Sequence, residues 1–289
     1  MATRTILLDI GGTFIKCSDG REIPIDSAGS REEIVSSLRQ AVEGYDSASV
    51  AIPGPFRYSD GTFLMKHKFA SVYGERFQNL AGLEDCSIAH DVNAMLLGEL
   101  VRSGLEGSGR TALVTLGTGL GFAVAIDGRL LTNELGSPLI PLYKFPCRDG
   151  ILEDYVSKRG FLRGFENITV KDLADKARGG DSEATVRFNE CGEILGKSIA
   201  PLLGKMGIDR LLFGGQISRS YDLFAPGLES ELSSVQSLTG VGPVSDISNA
   251  TFNGLRELAR MASVGKDYRA GEETNRRILE RIGQYVHSE

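Results

Sequence analysis

Two glycine turns, each set between apolar, β-branched runs, restrict this chain more than any other feature of its sequence. The first is TILLDIGGTFIKC, residues 5–17, and the second is TALVTLGTGLGFAVAI, residues 111–126. In both, a strand-like run breaks at glycines and a threonine and resumes beside itself, which predicts two β-hairpins. Asp127-Gly128 marks a further tight hairpin turn. A strand, glycine-threonine turn and strand in each half suggest a duplicated core. Further strands are expected over 48–52, 87–89 and 209–213. Helical spacing recurs over 34–41, behind a Ser30/Glu33 capping box, and over 94–101, 153–161, 181–203, 251–262 and 272–286. Alternating strands and helices make this an α/β chain.

At 289 residues, with 41% hydrophobic and 24% charged side chains, the chain is globular in composition and long enough for two cores. A formal net charge of −6 and the lack of a basic block give nucleic-acid binding little electrostatic support. No apolar run reaches the roughly 20 residues that span a bilayer, and no secretory signal is apparent, so neither a membrane nor nucleic acid is an expected partner and a cytoplasmic location is. Cys17, Cys86, Cys147 and Cys191 are widely spaced, without a C-x-x-C pair, and read as reduced thiols.

Backbone N–H groups around Gly11 and Gly12, with the Thr13 hydroxyl, can form an anion-binding concavity. Asp9 at its mouth would repel an anion unless hydrated Mg2+ lay between them, held by the carboxylate through water and bridging phosphate oxygens. The plainer reading is that Asp9 caps a turn. A second loop of the same chemistry, Gly117-Thr118-Gly119, favours the first reading, because a nucleotide's phosphate tail needs donors along its length. Pro53 and Pro55 force an exposed loop. CGEILGKS at 191–198 imitates the end of a P-loop, but it lies within a helical pattern and reads as helix packing. Ile278, Ile282 and Val286 give the last helix an ordinary apolar face.

Six ordered pieces resemble the ROK family of sugar kinases, within the actin-like, hexokinase-like ATPase superfamily. They are DIGGTFIK at 9–16, the Pro53-Gly54-Pro55 loop, DVNA at 91–94 with LGE at 97–99, LGTGLG at 116–121, ELG at 134–136 and FGGQIS at 213–218. The resemblance implies an α/β, actin-like (ribonuclease H-like) fold with two domains around a central cleft: residues 1–115 plus about 272–289, and residues 116–271. It implies that Asp91 is the catalytic base for a sugar hydroxyl, the 6-OH of a hexose being the expected acceptor, with ATP as co-substrate and Mg2+ as cofactor. A cap on the following helix is the rival role for Asp91, and a carboxylate can serve both. Asn93 and Glu134 match polar positions around the sugar, and Glu153 matches a sugar-contacting glutamate that otherwise reads as a first-turn helix residue. Thr118 matches the second phosphate loop, and Gly214 and Gly215 match the segment that approaches adenosine. Lys16 reads equally as a phosphate contact or a solvated strand residue.

Departures from the family pattern are as informative. Most members carry a histidine directly after E-L-G and a C-x-C-G-x-x-G-C run that together hold structural zinc. Ser137 replaces that histidine, and PCRDGILE at 146–153 replaces the run, so no zinc site is expected. His90 stands where asparagine is usual and could donate to a sugar hydroxyl or be structural. Other members are regulators with a DNA-binding winged helix ahead of the first hairpin; Asp9 follows Met1 too closely for one to be expected. A non-catalytic sugar-binding or regulatory protein is the alternative reading. The resemblance leaves the hexose, ATP against polyphosphate, and homodimerisation, common in the family, undetermined.

Overall fold

The computed structural model describes residues 4–105, 107 and 109–283. Two compact units share the chain in interleaved segments: residues 1–106, 128–139 and 248–270 form one, and residues 107–127, 140–247 and 271–289 form the other. The expected division had placed 272–289 with the N-terminal part. The described portion of that stretch, the helix Glu272–Ile282, instead packs on the helix Ser182–Met206 of the second unit, and the helix Ala250–Ser263 joins the first unit. Residues 284–289, with Val286, lie outside the described residues.

In the first unit, β1 (Thr5–Ile10) and β2 (Phe14–Cys17) form the expected antiparallel hairpin, extended by β3 (Glu22–Pro24). On the other side β4 (Ser47–Ile52) and β5 (Cys86–His90) add in parallel, giving the order β3-β2-β1-β4-β5. Every residue of β4 is buried. A strand paired on both edges and covered on both faces has this apolar composition. Ile6, Leu8, Ile10 and Val50 form one core with Ile34 and Leu38 of the helix Arg31–Val42, whose Ser30/Glu33 capping box is fully made. The helix Ala250–Ser263 packs on β1, β4 and β5 and against the helix Asp91–Arg102, and Ser49 donates its hydroxyl to the Leu255 carbonyl at 2.8 Å.

The second unit repeats the plan. β6 (Arg110–Leu116) and β7 (Leu120–Ile126) form the second hairpin, while β8 (Arg210–Gly214) and β9 (Gly240–Pro243) extend β6 in parallel. The expected helix over 153–161 divides at Ser157 into Leu152–Val156 and Lys158–Phe161. The P-loop imitation lies inside the helix Ser182–Met206, where Gly192 lets the Phe224 backbone of the helix Tyr221–Leu232 approach. Among the described residues no helix is long and apolar enough to cross a membrane.

Candidate functional site

In open sheets with parallel strands, ligands gather beyond the carboxyl ends of the strands, and register decides which side chains meet there. Asp9 pairs with Ala51, which pairs with Ala89, so the three lie on one line across β1, β4 and β5. Asp91 follows two residues beyond Ala89, at the opening of its helix. Strands lie ~4.8 Å apart, which places the two acidic side chains in electrostatic reach across the intervening β4.

Their environments push the two carboxyls in opposite directions. Burial and the charge of Asp91 raise the Asp9 pKa to about 6, against the pull of Lys16, its cross-strand partner on β2. Burial also acts to raise Asp91, yet its pKa falls below the usual value because the His90 ring, the Val92 N–H and the charge of Lys68 outweigh burial. A pair separated in this way holds its first proton on Asp9 and keeps Asp91 ionised. His90 Nδ1 stands 2.7 Å from Asp91 Oδ1, and the Val92 N–H reaches that same oxygen at 2.8 Å. The Val92 N–H also reaches His90 Nδ1, at 3.3 Å, so imidazole, carboxylate and helix N-terminus form one cluster. Asp91 also satisfies a helix N-terminal N–H, so both sequence readings of its side chain are compatible.

The glycine turn beside Asp9 is held by Gly11 N–H on the Phe14 carbonyl at 2.9 Å and Ser27 N–H on the Gly12 carbonyl at 3.1 Å. Among the described residues no backbone carbonyl takes the N–H of Gly12 or Thr13. Those two donors and the exposed Thr13 side chain suit an anion. Asp9, with Asp91 near it, offers hard oxygen ligands in a neighbourhood that resists a second negative charge. Mg2+ characteristically uses one or two carboxylates with waters and substrate phosphates, so the donor set fits it.

Asn93 is fully buried, and its amide nitrogen donates to the Gly136 carbonyl at 3.2 Å, while Oδ1 finds no partner among the described residues. Asn93 therefore braces the turn that carries Glu134. In that turn Asn133 Oδ1 accepts from the Leu135 and Ser137 N–H groups, and Gly136 at φ +89° lies so close to Tyr58 that a Cβ would meet it at 3.0 Å. Glu134 itself is exposed. Tyr58 gives its hydroxyl to the Ile52 carbonyl at 2.9 Å, and its ring lies 5.9 Å from that of His90. Tyr58 and Lys68 had no role in the sequence reading. Lys68 had only the weak signal of a cation between the apolar Met65 and Phe69.

In the second unit, the loop Gly117-Thr118-Gly119 is fastened from two directions. The Lys158 N–H donates to the Gly117 carbonyl at 2.8 Å, and Glu153 Oε2 accepts from the Leu120 N–H at 2.9 Å. Arg159 pairs with Glu153 Oε1, also at 2.9 Å. The Glu153 carboxylate, expected on sugar, is thus engaged with the glycine loop, and a Cβ on Gly119 would meet it at 2.8 Å. Thr118 is exposed. Gly214 ends β8, while the bare face of Gly215, at φ +83°, is filled by the Leu116 backbone, with a Cβ meeting that carbonyl at 2.4 Å. Where the zinc-binding run would stand, Pro146–Cys147 and Gly150–Ile151 form a small hairpin. Arg148 pins it through Glu190 and the Tyr155 ring.

A sheet built from a hairpin continued by parallel strands is made twice, with a glycine turn in each, which is the architecture expected of the actin-like fold. The model of the ROK family matches residues 30–253, and the chain belongs to that family. It is 27% identical over 258 residues to the N-acetylgalactosamine kinase AgaK of Shewanella sp. (strain ANA-3), covering 75% of this chain and 83% of that one. It is 21% identical over 226 residues to the DNA-binding transcriptional dual regulator NagC of Escherichia coli (strain K12), covering 68% of this chain and 55% of the regulator. The fold is shared with a ROK family glucokinase from Streptomyces griseus, solved with glucose and AMPPNP, at a TM-score of 0.70 and 23% identity over 89% of this chain and 99% of the other.

Proposed function

We propose that this protein is an ATP-dependent sugar kinase that transfers the γ-phosphoryl group to a hexose hydroxyl, the 6-OH, with Asp91 as catalytic base. The observation that carries the proposal is the divided carboxylate pair: Asp91 stays ionised and anchored by His90 and Val92, while Asp9 stands beside a turn with two N–H donors that no carbonyl takes among the described residues. Family membership and the kinase relatives support the same reading.

In this reading Asp91 accepts a hydrogen bond from the sugar hydroxyl, orients it, and takes its proton late, as the new O–P bond forms. His90 fixes the carboxylate's position, and its second ring nitrogen is available to another sugar hydroxyl. Glu134, on the turn braced by Asn93 and Tyr58, contacts the sugar. Gly11, Gly12 and Thr13 supply N–H groups to the terminal phosphates, with Gly117, Thr118 and Gly119 supplying further donors. Lys16 keeps enough of the Asp9 charge in place at neutral pH. Gly214 and Gly215 shape the approach of adenosine. Mg2+, held by Asp9 through water, supplies neutralisation of the phosphate charge when bound. No zinc is expected to be needed.

The test is ADP release from ATP and Mg2+ over a panel including glucose, mannose, N-acetylglucosamine and N-acetylgalactosamine. The expected result is turnover with at least one sugar, and a fall in kcat of about 10²–10⁴-fold in Asp91→Asn with sugar affinity retained. Sugar binding without turnover in the wild-type protein would move the assignment to the regulatory reading that the likeness to NagC favours.

A further inference from the structure

The loop after the short hairpin Phe56–Arg57/Thr62–Phe63 runs Leu64-Met65-Lys66-His67-Lys68-Phe69. Met65 and Phe69 are fully buried anchors, whereas Lys66 and His67 are exposed. Lys68 is half-buried between them. Phe69 holds a left-handed conformation, φ 53°, that a bulky L-residue avoids. It is kept there by ring packing on Phe63 at 5.5 Å and by its N–H on the Ser27 carbonyl at 2.5 Å. Ser27 in turn gives its N–H to the Gly12 carbonyl at 3.1 Å. One strained residue therefore ties the Lys68 loop, through Ser27, to the glycine turn. An outlier maintained by so many contacts is a reason to look for a function beside it.

The Lys68 ammonium reaches that turn. A Cβ placed on Gly12 would lie 3.8 Å from Lys68 Nζ and 3.4 Å from Ser27 Oγ. Lys68 makes no ion pair and no hydrogen bond among the described residues, although its charge acts on Asp91. A half-buried ammonium without a partner is a donor whose acceptor arrives with the ligand.

We propose that Lys68 is a phosphoryl-contacting residue: its ammonium binds an oxygen of the transferred phosphoryl group together with the N–H groups of Gly12 and Thr13. This rests on the kinase reading above. In the step it serves, the sugar hydroxyl oxygen forms a bond to the γ-phosphorus, the bond to the β,γ-bridging oxygen breaks, and ADP carries away that electron pair. The hydroxyl proton passes to Asp91. Lys68 stays protonated throughout and offsets the charge of the moving group, as a cis-acting cation does in other phosphoryl transfers. Its lack of a carboxylate partner suits the task, because a paired ammonium would have to give up that partner first.

The experiment compares wild type, Lys68→Met, Lys68→Gln and Lys68→Arg for kcat with the sugar that supports turnover, at pH 6 to 9, and for affinity towards that sugar, ATP and ADP. The expected result for Lys68→Met is a kcat lower by about 10²–10³-fold at every pH, with weaker ATP binding and nearly unchanged sugar and ADP binding. Lys68→Arg should recover at least about tenfold of that loss, since it restores charge without the same reach. If Lys68→Met loses its thermal unfolding transition, Lys68→Gln carries the same criteria. A kcat within about threefold of wild type overturns the proposal. So does a loss that disappears at high pH, which would make Lys68 only a counter-charge to Asp91. A wild-type protein inactive on the whole sugar panel sinks the kinase reading itself, whereas an active one with an unaffected variant sinks the proposal alone.

Discussion

Asp9 is pulled in two directions, and its cost to the fold depends on pH. Burial and Asp91 hold its pKa at about 6, above the ordinary 3.8, so between those values the folded chain keeps a proton that the unfolded chain releases. Stability attributable to Asp9 is therefore highest below about pH 4 and falls as pH rises through 6, by ~1–3 kcal/mol. Asp9→Asn should remove that fall: urea titrations at pH 4 and 7 should show the variant more stable than wild type at pH 7 and no more stable at pH 4. Equal pH dependence in both proteins would mean that Asp9 is not the group under strain. At this scale the sequence was partly legible. The acidic residue beside a glycine turn was a readable contradiction, and Asp91 was found through its motif. That His90 lies against Asp91, and that Lys68 reaches Gly12, depended on backbone direction at Phe69 and on strand register across β1, β4 and β5, which no short pattern of residue types encodes.

Among elements, glycines that looked like motif fragments prove to set distances. In the first unit, a Cβ on Gly98 would meet the Ala250 carbonyl at 2.2 Å, and one on Gly254 would run into the Ala94 carbonyl, so the helices Asp91–Arg102 and Ala250–Ser263 touch backbone to backbone. Gly254→Ala should force them apart and lower stability by ~2–4 kcal/mol, in the range of overpacked cores and strained buried sites, measured by chemical denaturation. Because Asp91 begins one of those helices, the same variant should also lose kcat even where it folds. Most strands and long helices were legible because apolar periodicity extends over enough residues; the helix Tyr221–Leu232, interrupted in sequence by Pro226 and Gly227, was not. The short helix Phe77–Ala81, the pair Thr62–Phe63 and Phe56–Arg57, and strand β9 were not, because two to five residues carry too little pattern; the helix Val170–Arg178 was overlooked although Val170, Leu173, Ala174 and Ala177 recur at helical spacing behind a Thr169/Asp172 cap. Glu153 shows the same limit. Its place after the replaced zinc-binding run was readable, but its engagement with the Leu120 N–H was not. Glu153→Gln is accordingly expected to raise KM for ATP by about tenfold, the loss of roughly one charge-assisted hydrogen bond, and to leave KM for sugar within twofold; steady-state kinetics with each substrate varied in turn distinguishes the two.

At the scale of the whole molecule, the duplication suggested by two glycine hairpins extends to complete architecture. Each unit has a hairpin continued by parallel strands, and each has a helix pair brought together by glycine, at Gly98 and Gly254 in one and at Gly192 and Gly227 in the other. The interleaving of segments 128–139 and 248–270 into the first unit was illegible because it follows from tertiary packing and leaves no break in composition. It matters for function, since the Glu134 turn and the helix that buttresses Asp91 both come from sequence far beyond the first hairpin yet belong to the same unit as Asp9. A sugar bound by His90, Asp91 and Glu134 would therefore couple distant stretches of chain and should stabilise the fold cooperatively. A ligand at a hundred times its Kd adds about 2.7 kcal/mol, and one kcal/mol moves the midpoint of a chain of this size by roughly 2–4 °C. Thermal unfolding with each hexose in turn, without nucleotide, should thus single out one sugar class by a rise of several degrees. That sugar should be the one that supports ADP release, and Asp91→Asn should keep most of the rise while losing turnover. If the sugar that stabilises the protein and the sugar that it phosphorylates were different, the polar groups of the first unit would not be the acceptor site.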